Sequence, residues 1–146
     1  MRLLPILIAA LALLTPSFAA AQTPEAVVQA IYEEGQSFLP KDRLPLYYSR
    51  DLAAALARSQ DSEEGGVGFD WLYDAQDAEM TGLALEAIAD GPEGSLIEAT
   101  FNNFGEEKAV RWELCRQSNG DWRVVDVTTA EWSLRALLDL PETHDC

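Results

Sequence analysis

The chain changes period near residue 80. Before that point apolar residues recur at helical spacing; after it they alternate, in four stretches separated by turn signals. That switch restricts the fold to helices packed on one antiparallel sheet, an α+β domain. Thr23-Pro24-Glu25 opens a first helix with a capping threonine, a proline in the first turn and an acid at the positive end of the dipole. Val27, Val28, Ile31, Gly35 and Phe38 follow at helical spacing, and Pro40 and Pro45 bracket a connection. Ser49 caps a second helix that carries Leu52, Ala55, Leu56 and Ser59 on one face. Residues 61–68 are acidic and glycine-rich, which predicts a loop, and residues 70–77 predict a short third helix. The alternating stretches predict strands over 82–89, 95–103, 107–117 and 122–128, joined by turns at 90–94, Phe104-Gly105 and Asn119-Gly120. A last helix runs from about residue 132 to 140 and stops at Pro141.

The turns fix a register. A two-residue turn at Asn119-Gly120 pairs Leu114 with Val125 and Trp112 with Val127. One at Phe104-Gly105 pairs Ala99 with Val110 and Ile97 with Trp112. In the first hairpin Ala87 then meets Ile97, Leu85 meets Ala99 and Leu83 meets Phe101. All of these apolar residues share one face, which a one-residue slip would turn to water. The predicted sheet is a four-stranded antiparallel meander covered on that face by the helices. The opposite face takes Arg111, Glu113, Cys115, Trp122, Val124 and Asp126. Glu113 across from Asp126 is an unfavourable like-charge pair, which Arg111 bridges, exposure to water solvates, or a bound cation relieves.

Residues 1–21 read as a secretory leader: Arg2, an apolar run from Leu3 to Leu14, and small residues at the −3 and −1 positions of a cut after Ala21. The run is shorter than the roughly 20 residues a bilayer span needs, and no cysteine at the cut invites a lipid anchor. The expected product is a soluble periplasmic or secreted domain over 22–146. Removing Arg2 takes the net charge from −15 to −16, which disfavours nucleic acid and anionic lipid and suits solubility or a cationic partner. In an oxidising compartment Cys115 and Cys146 are expected to pair, closing a loop of about 30 residues worth about 3–4 kcal/mol.

Four motifs in order carry a family resemblance: Tyr47-Tyr48-Ser49-Arg50-Asp51-Leu52; Phe69-Asp70-Trp71-Leu72-Tyr73-Asp74-Ala75-Gln76-Asp77; Phe101-Asn102-Asn103-Phe104-Gly105-Glu106; and Trp132-Ser133-Leu134-Arg135-Ala136-Leu137-Leu138. Over about residues 23–140 the chain resembles the bacterial exported proteins grouped as domain-of-unknown-function family 3828. The resemblance implies the cone-shaped nuclear transport factor 2-like fold and an envelope location. It implies no reaction and no catalytic residue.

In such a cone the interior can become a pocket. Tyr32, Tyr47, Tyr48, Phe69, Trp71 and Trp112 are the aromatics expected to line or fill it, with Asp70, Gln76 and Asp77 as polar groups near its mouth. An isomerase-like or hydrolytic site would cast Asp70 or Asp77 as base and Tyr32 or Tyr48 as hydrogen-bond donor. Asp70, Asp74 and Asp77 would share a helix face, a weak pattern for a hard cation, and no metal site is expected from it. Gln76-Asp77 would satisfy buried backbone groups between helix and sheet. Trp132 and Arg135 form either an exposed contact patch or a closure of the cone's end. The lone histidine, His144, excludes histidine-based triads and zinc sites, and no phosphate-cradling or dinucleotide motif is present, so no cofactor is expected. The expected function is a non-enzymatic binding or accessory module of the cell envelope, with an unidentified protein or small-molecule ligand. The alternatives are a small enzyme with its site inside the cone, or an inhibitor that grips a basic protein through its acidic surface.

Overall fold

A computed structural model describes residues 21–62 and 66–142. The leader up to Ala20, His144 and Cys146 therefore lie outside the described residues. Four helices and one sheet follow in the order α1 (Pro24–Glu34), α2 (Leu44–Tyr47), α3 (Arg50–Gln60), β1 (Met80–Asp90), β2 (Gly94–Asn103), β3 (Glu106–Arg116), β4 (Trp122–Thr128) and α4 (Leu134–Leu137). The architecture is α+β, with a curved four-stranded antiparallel sheet in the order β1-β2-β3-β4.

The Thr23 hydroxyl accepts the Ala26 N–H at 3.2 Å and starts α1, and Gly35, at φ 70°, ends it. Val27, Val28, Ile31 and Tyr32 are the buried face of α1, which crosses β1, β2 and β4. Phe38 lies beyond the helix, edge-on to Trp71 with ring centroids 5.2 Å apart. Ser49 does stand at the head of α3, but its hydroxyl does not cap the backbone. It donates to Asp51 Oδ1 at 2.8 Å, and that carboxylate accepts the Leu52 N–H at 2.8 Å.

Residues 70–77 are not a helix. They close into a turn in which Asp70 and Ala75 exchange backbone bonds of 2.9 and 3.3 Å, Asp70 Oδ1 accepts the Leu72 N–H at 3.0 Å, and Asp74 sits at φ 50°. An aspartate that satisfies the backbone two residues ahead favours a turn over a helix, so Asp70, Asp74 and Asp77 share no helix face.

The strands lie within two residues of their expected bounds. Ala87↔Ile97, Leu85↔Ala99, Ala99↔Val110, Ile97↔Trp112, Trp112↔Val127 and Glu113↔Asp126 pair as the turns predict. Two pairs do not, and each breaks at a bulge. Gly82, at φ 69°, lies where the β1–β2 ladder jumps from Thr81↔Asn102 to Ala84↔Thr100, so Leu83 has no partner across from it. In β4, Leu114 pairs with Val124 rather than Val125. The Asn119-Gly120 turn is longer than two residues: Gln117 N–H reaches Asp121 O at 2.7 Å and Gly120 N–H reaches Gln117 O at 2.9 Å. Trp122 and Val124 consequently join the core instead of the outer face, and Val125 becomes the extra residue.

The β2–β3 connection is a two-residue turn with Phe104 at φ 50° and Gly105 at φ 80°, the backbone that matches the sheet's twist. Phe104 is a poor occupant, since it is 60 % exposed and a β-carbon resists this region. Phe104→Asn should raise stability by about 1 kcal/mol, because asparagine tolerates positive φ. A lower melting temperature in the variant would show that the ring makes a stabilising contact.

Beneath the last helix, Asp126 and Arg135 are 6 % and 2 % exposed. Asp126 accepts from Val127 N–H (2.8 Å), the Ser133 hydroxyl (2.8 Å) and Arg135 N–H (3.1 Å). Arg111 does not bridge Glu113 and Asp126; it pairs with Glu98 at 2.9 Å. Arg135 is no surface contact residue either, for its guanidinium spans Val125 O (3.1 Å), Pro141 O (2.6 Å) and Asp51 Oδ2 (2.7 Å).

Candidate functional site

The interior residues are brought together, but as packing. Tyr32, Tyr48, Trp71 and Trp112 are each at most 5 % exposed. The Tyr32 ring meets Tyr73, Phe101 and Trp112 edge-on at 5.6–6.4 Å. Its hydroxyl donates to Leu72 O at 3.1 Å and accepts the Trp112 indole N–H at 3.4 Å. Tyr47 lies apart, donating to Glu34 at 2.7 Å. Burial pushes the Tyr32 and Tyr48 hydroxyls far above the ordinary tyrosine range, so both stay protonated at every physiological pH. Asp70 is close enough to add to that upward push on Tyr32, Tyr48 and Tyr73, but its carboxylate is already engaged with the Leu72 N–H.

The polar residues expected at the mouth separate. Asp77 and Gln76 are exposed, and Gln76 donates outward to Gly68 O at 2.9 Å. The role anticipated for that pair falls to Asn103, which is 4 % exposed. Asn103 accepts the Glu79 N–H at 2.8 Å and donates to Asp77 O at 3.0 Å, clamping the segment before β1 to β2. Phe69 packs edge-on against Trp132 at 5.2 Å, and the Trp132 indole donates to Asp74 at 2.7 Å. Lys108 reaches the same aspartate at 3.7 Å. Asp74 is thus occupied, and no trio of metal-ligating side chains occurs among the described residues.

The larger concavity lies elsewhere. A surface groove of about 620 Å³ runs between the α2–α3 segment and the β3–β4 turn. Two hydrogen bonds tie its walls together: Ser49 N–H donates to Val124 O at 2.8 Å, and the Arg123 side chain donates through Nε to Pro45 O at 2.9 Å. Pro45, Ala53, Ala54 and Ala57 give it an apolar floor; Ser49, Gln117, Ser118 and Asn119 are its neutral polar lining. Lys41, Arg50 and Arg123 also line it, and no acid does, in a chain with 25 acids and 10 bases. Two of the cations have local partners, Lys41 in Asp61 and Arg123 in Asp121 at 3.2 Å. Arg50 is exposed and has no partner among the described residues.

Of the residues expected to line a pocket, Tyr48 alone lines this groove; sequence reasoning missed the rest, because the groove's cations come from three separate segments. The available signal was Lys41 and Arg50, which flank α2 in an otherwise acidic chain.

No family profile matches the chain, and no curated protein does. Among solved structures it is similar to a phospholipid-binding protein from Ralstonia solanacearum determined with a phospholipid bound. The two are 15 % identical, the match covers 77 % of this chain and 69 % of that one, and the TM-score is 0.34. At that score the likeness carries no argument about ligand.

Proposed function

We propose that the mature chain is an exported, non-enzymatic binding module of the cell envelope that holds the anionic group of a small ligand in the groove between α3 and the β3–β4 turn. One observation carries the reading: Arg50, the one groove cation without a partner among the described residues, lines a groove that no acid lines in a protein with a net charge of −15. A net acidic surface repels anions, so an unpaired cation in a concave site is what selective anion capture needs. Arg50 supplies the charge that nothing else neutralises, and its guanidinium suits carboxylate or phosphate oxygens.

The helix-then-meander order supports the nuclear transport factor 2-like assignment and kinship with family 3828 on the sequence motifs given above. The leader-like residues 1–21 support export, which N-terminal sequencing of the host's periplasmic protein would check by finding Gln22 first. The Cys115–Cys146 bridge belongs to the same reading. Cys115 is 1 % exposed, and both cysteines should resist alkylation in unfolded, unreduced protein.

The test is calorimetry of the mature protein at low salt with inorganic phosphate, hexanoate and decanoate. At least one should bind. Its affinity should fall as salt rises and drop tenfold or more in Arg50→Glu, since a charge-assisted hydrogen bond is worth about 1.5–3 kcal/mol. Absence of binding by all three, or equal binding by the variant, would overturn the reading.

A further inference from the structure

We infer that the groove is shaped for an amphiphilic anion, a carboxylate or phosphate ester bearing an unbranched apolar chain, rather than for a bare inorganic anion or a polyhydroxylated ligand. The inference rests on the proposed anion site and adds the class of ligand.

Helix α3 has two faces of identical spacing. Leu52, Ala55, Leu56 and Ser59 form the inward one. Arg50, Ala53, Ala54 and Ala57 form the other, and all four line the groove. Residues at i, i+3, i+4 and i+7 stand in one column, so a cation sits at one end of a trough about 10 Å long whose alanine column has no side chain beyond Cβ, and the buried Tyr48 joins the same lining. Pro45 adds a further apolar surface that cannot donate a backbone hydrogen bond. At the far end, Lys41 is paired with Asp61, which directly follows α3, so its charge is already met and its methylenes can cover a chain. The unmet charge is therefore at the Arg50 end only.

This polarity decides between ligand classes. Inorganic phosphate would engage Arg50 and leave the alanine floor unused. A sugar would find partners among Ser49, Gln117, Ser118 and Asn119 but would set its remaining hydroxyls against the alanines, losing hydrogen bonds it makes in water. An extended acyl chain fills the trough while its acid meets Arg50, with Ser118 and Asn119 as neutral hydrogen-bonding groups in the same lining.

The experiment is a calorimetric series on the mature protein with hexanoate, octanoate and decanoate, alongside octan-1-ol and inorganic phosphate. Affinity should rise about two- to fourfold per added methylene, the upper figure being the roughly 0.8 kcal/mol of full burial. Octanoate should bind at least tenfold better than octan-1-ol. Ala54→Glu, at an exposed position, should flatten the chain-length series, while the Arg50→Glu variant should remove the preference for octanoate over the alcohol. A flat series with phosphate binding equally well would overturn the amphiphile and leave the anion site standing. Octan-1-ol binding as tightly as octanoate, with neither variant having an effect, would overturn both, as would no binding at all.

Discussion

Replacing Trp112 with alanine should lower the unfolding free energy by about 3–5 kcal/mol, enough to leave a domain of this size marginally folded. Trp112 is fully buried, lies edge-on to Tyr32 at 5.6 Å and donates its indole N–H to the Tyr32 hydroxyl. The substitution removes the packing and orphans one partner of a buried hydrogen bond. Trp112→Phe should recover more than half of the loss. Trp122→Ala is an informative companion. The outer face that plain alternation assigns to Trp122 would make it cheap, whereas its place in the core, 7 % exposed, sets the cost at about 3 kcal/mol. Urea denaturation of the three variants checks both numbers, and a cost below about 1 kcal/mol for Trp122→Ala would argue against the β4 bulge.

Arg135→Met should cost about 2 kcal/mol through a different mechanism. The guanidinium joins three segments, donating to Val125 O, Pro141 O and Asp51, and is 2 % exposed. Methionine fills much of the volume but leaves the buried Val125 carbonyl without its Arg135 donor, worth about 1–3 kcal/mol, whereas the carbonyl of the exposed Pro141 can turn to water. Asp51, half exposed, is rehydrated at little expense. The variant should also change the acid limb of the stability curve. Partial burial pushes the Asp51 carboxyl up, but the Arg135 guanidinium, the Ser49 hydroxyl and the Leu52 N–H together outweigh it and hold the carboxyl below its ordinary value of 3.8. A carboxylate depressed in the folded state stabilises fully above its unfolded value, and that contribution is lost as pH falls through the folded one. Stability should therefore fall less steeply below about pH 4 in Arg135→Met than in the parent chain. An identical acid limb in the two proteins would show that the pair carries no linkage.

Much of the fold was legible because periodicity and turn chemistry report on the same core face. Six of the eight predicted cross-strand pairs, including Glu113 opposite Asp126, are those formed. The misses come from insertions that alternation cannot count. In Trp122-Arg-Val-Val-Asp-Val the pairs Trp122/Val124 and Val125/Val127 each alternate, but out of phase with one another, so the bulge was written in the sequence as a phase shift. Residues 70–77 misled because Asp70 suits a helix cap and an aspartate-bonded turn equally, and only tertiary packing around Trp71 and Leu72, both at most 1 % exposed, selects the turn. Of the aromatics grouped as interior, Tyr32, Tyr48, Trp71 and Trp112 are buried together while Tyr47 and Phe69 only flank the core, and grouping cannot distinguish lining from filling. The groove was not legible because concavity and sign reversal arise only when α3 and the β3–β4 turn are brought side by side.

The most direct test of the anion-binding groove is amide chemical-shift mapping of the mature protein titrated with decanoate. The account predicts shifts concentrated at Arg50, Ala53, Ala54, Ala57, Ser118 and Asn119, with the amides of Tyr32, Trp71 and Trp112 unmoved. Shifts centred on Tyr32, Trp71 and Trp112 would place the ligand inside the core and contradict it.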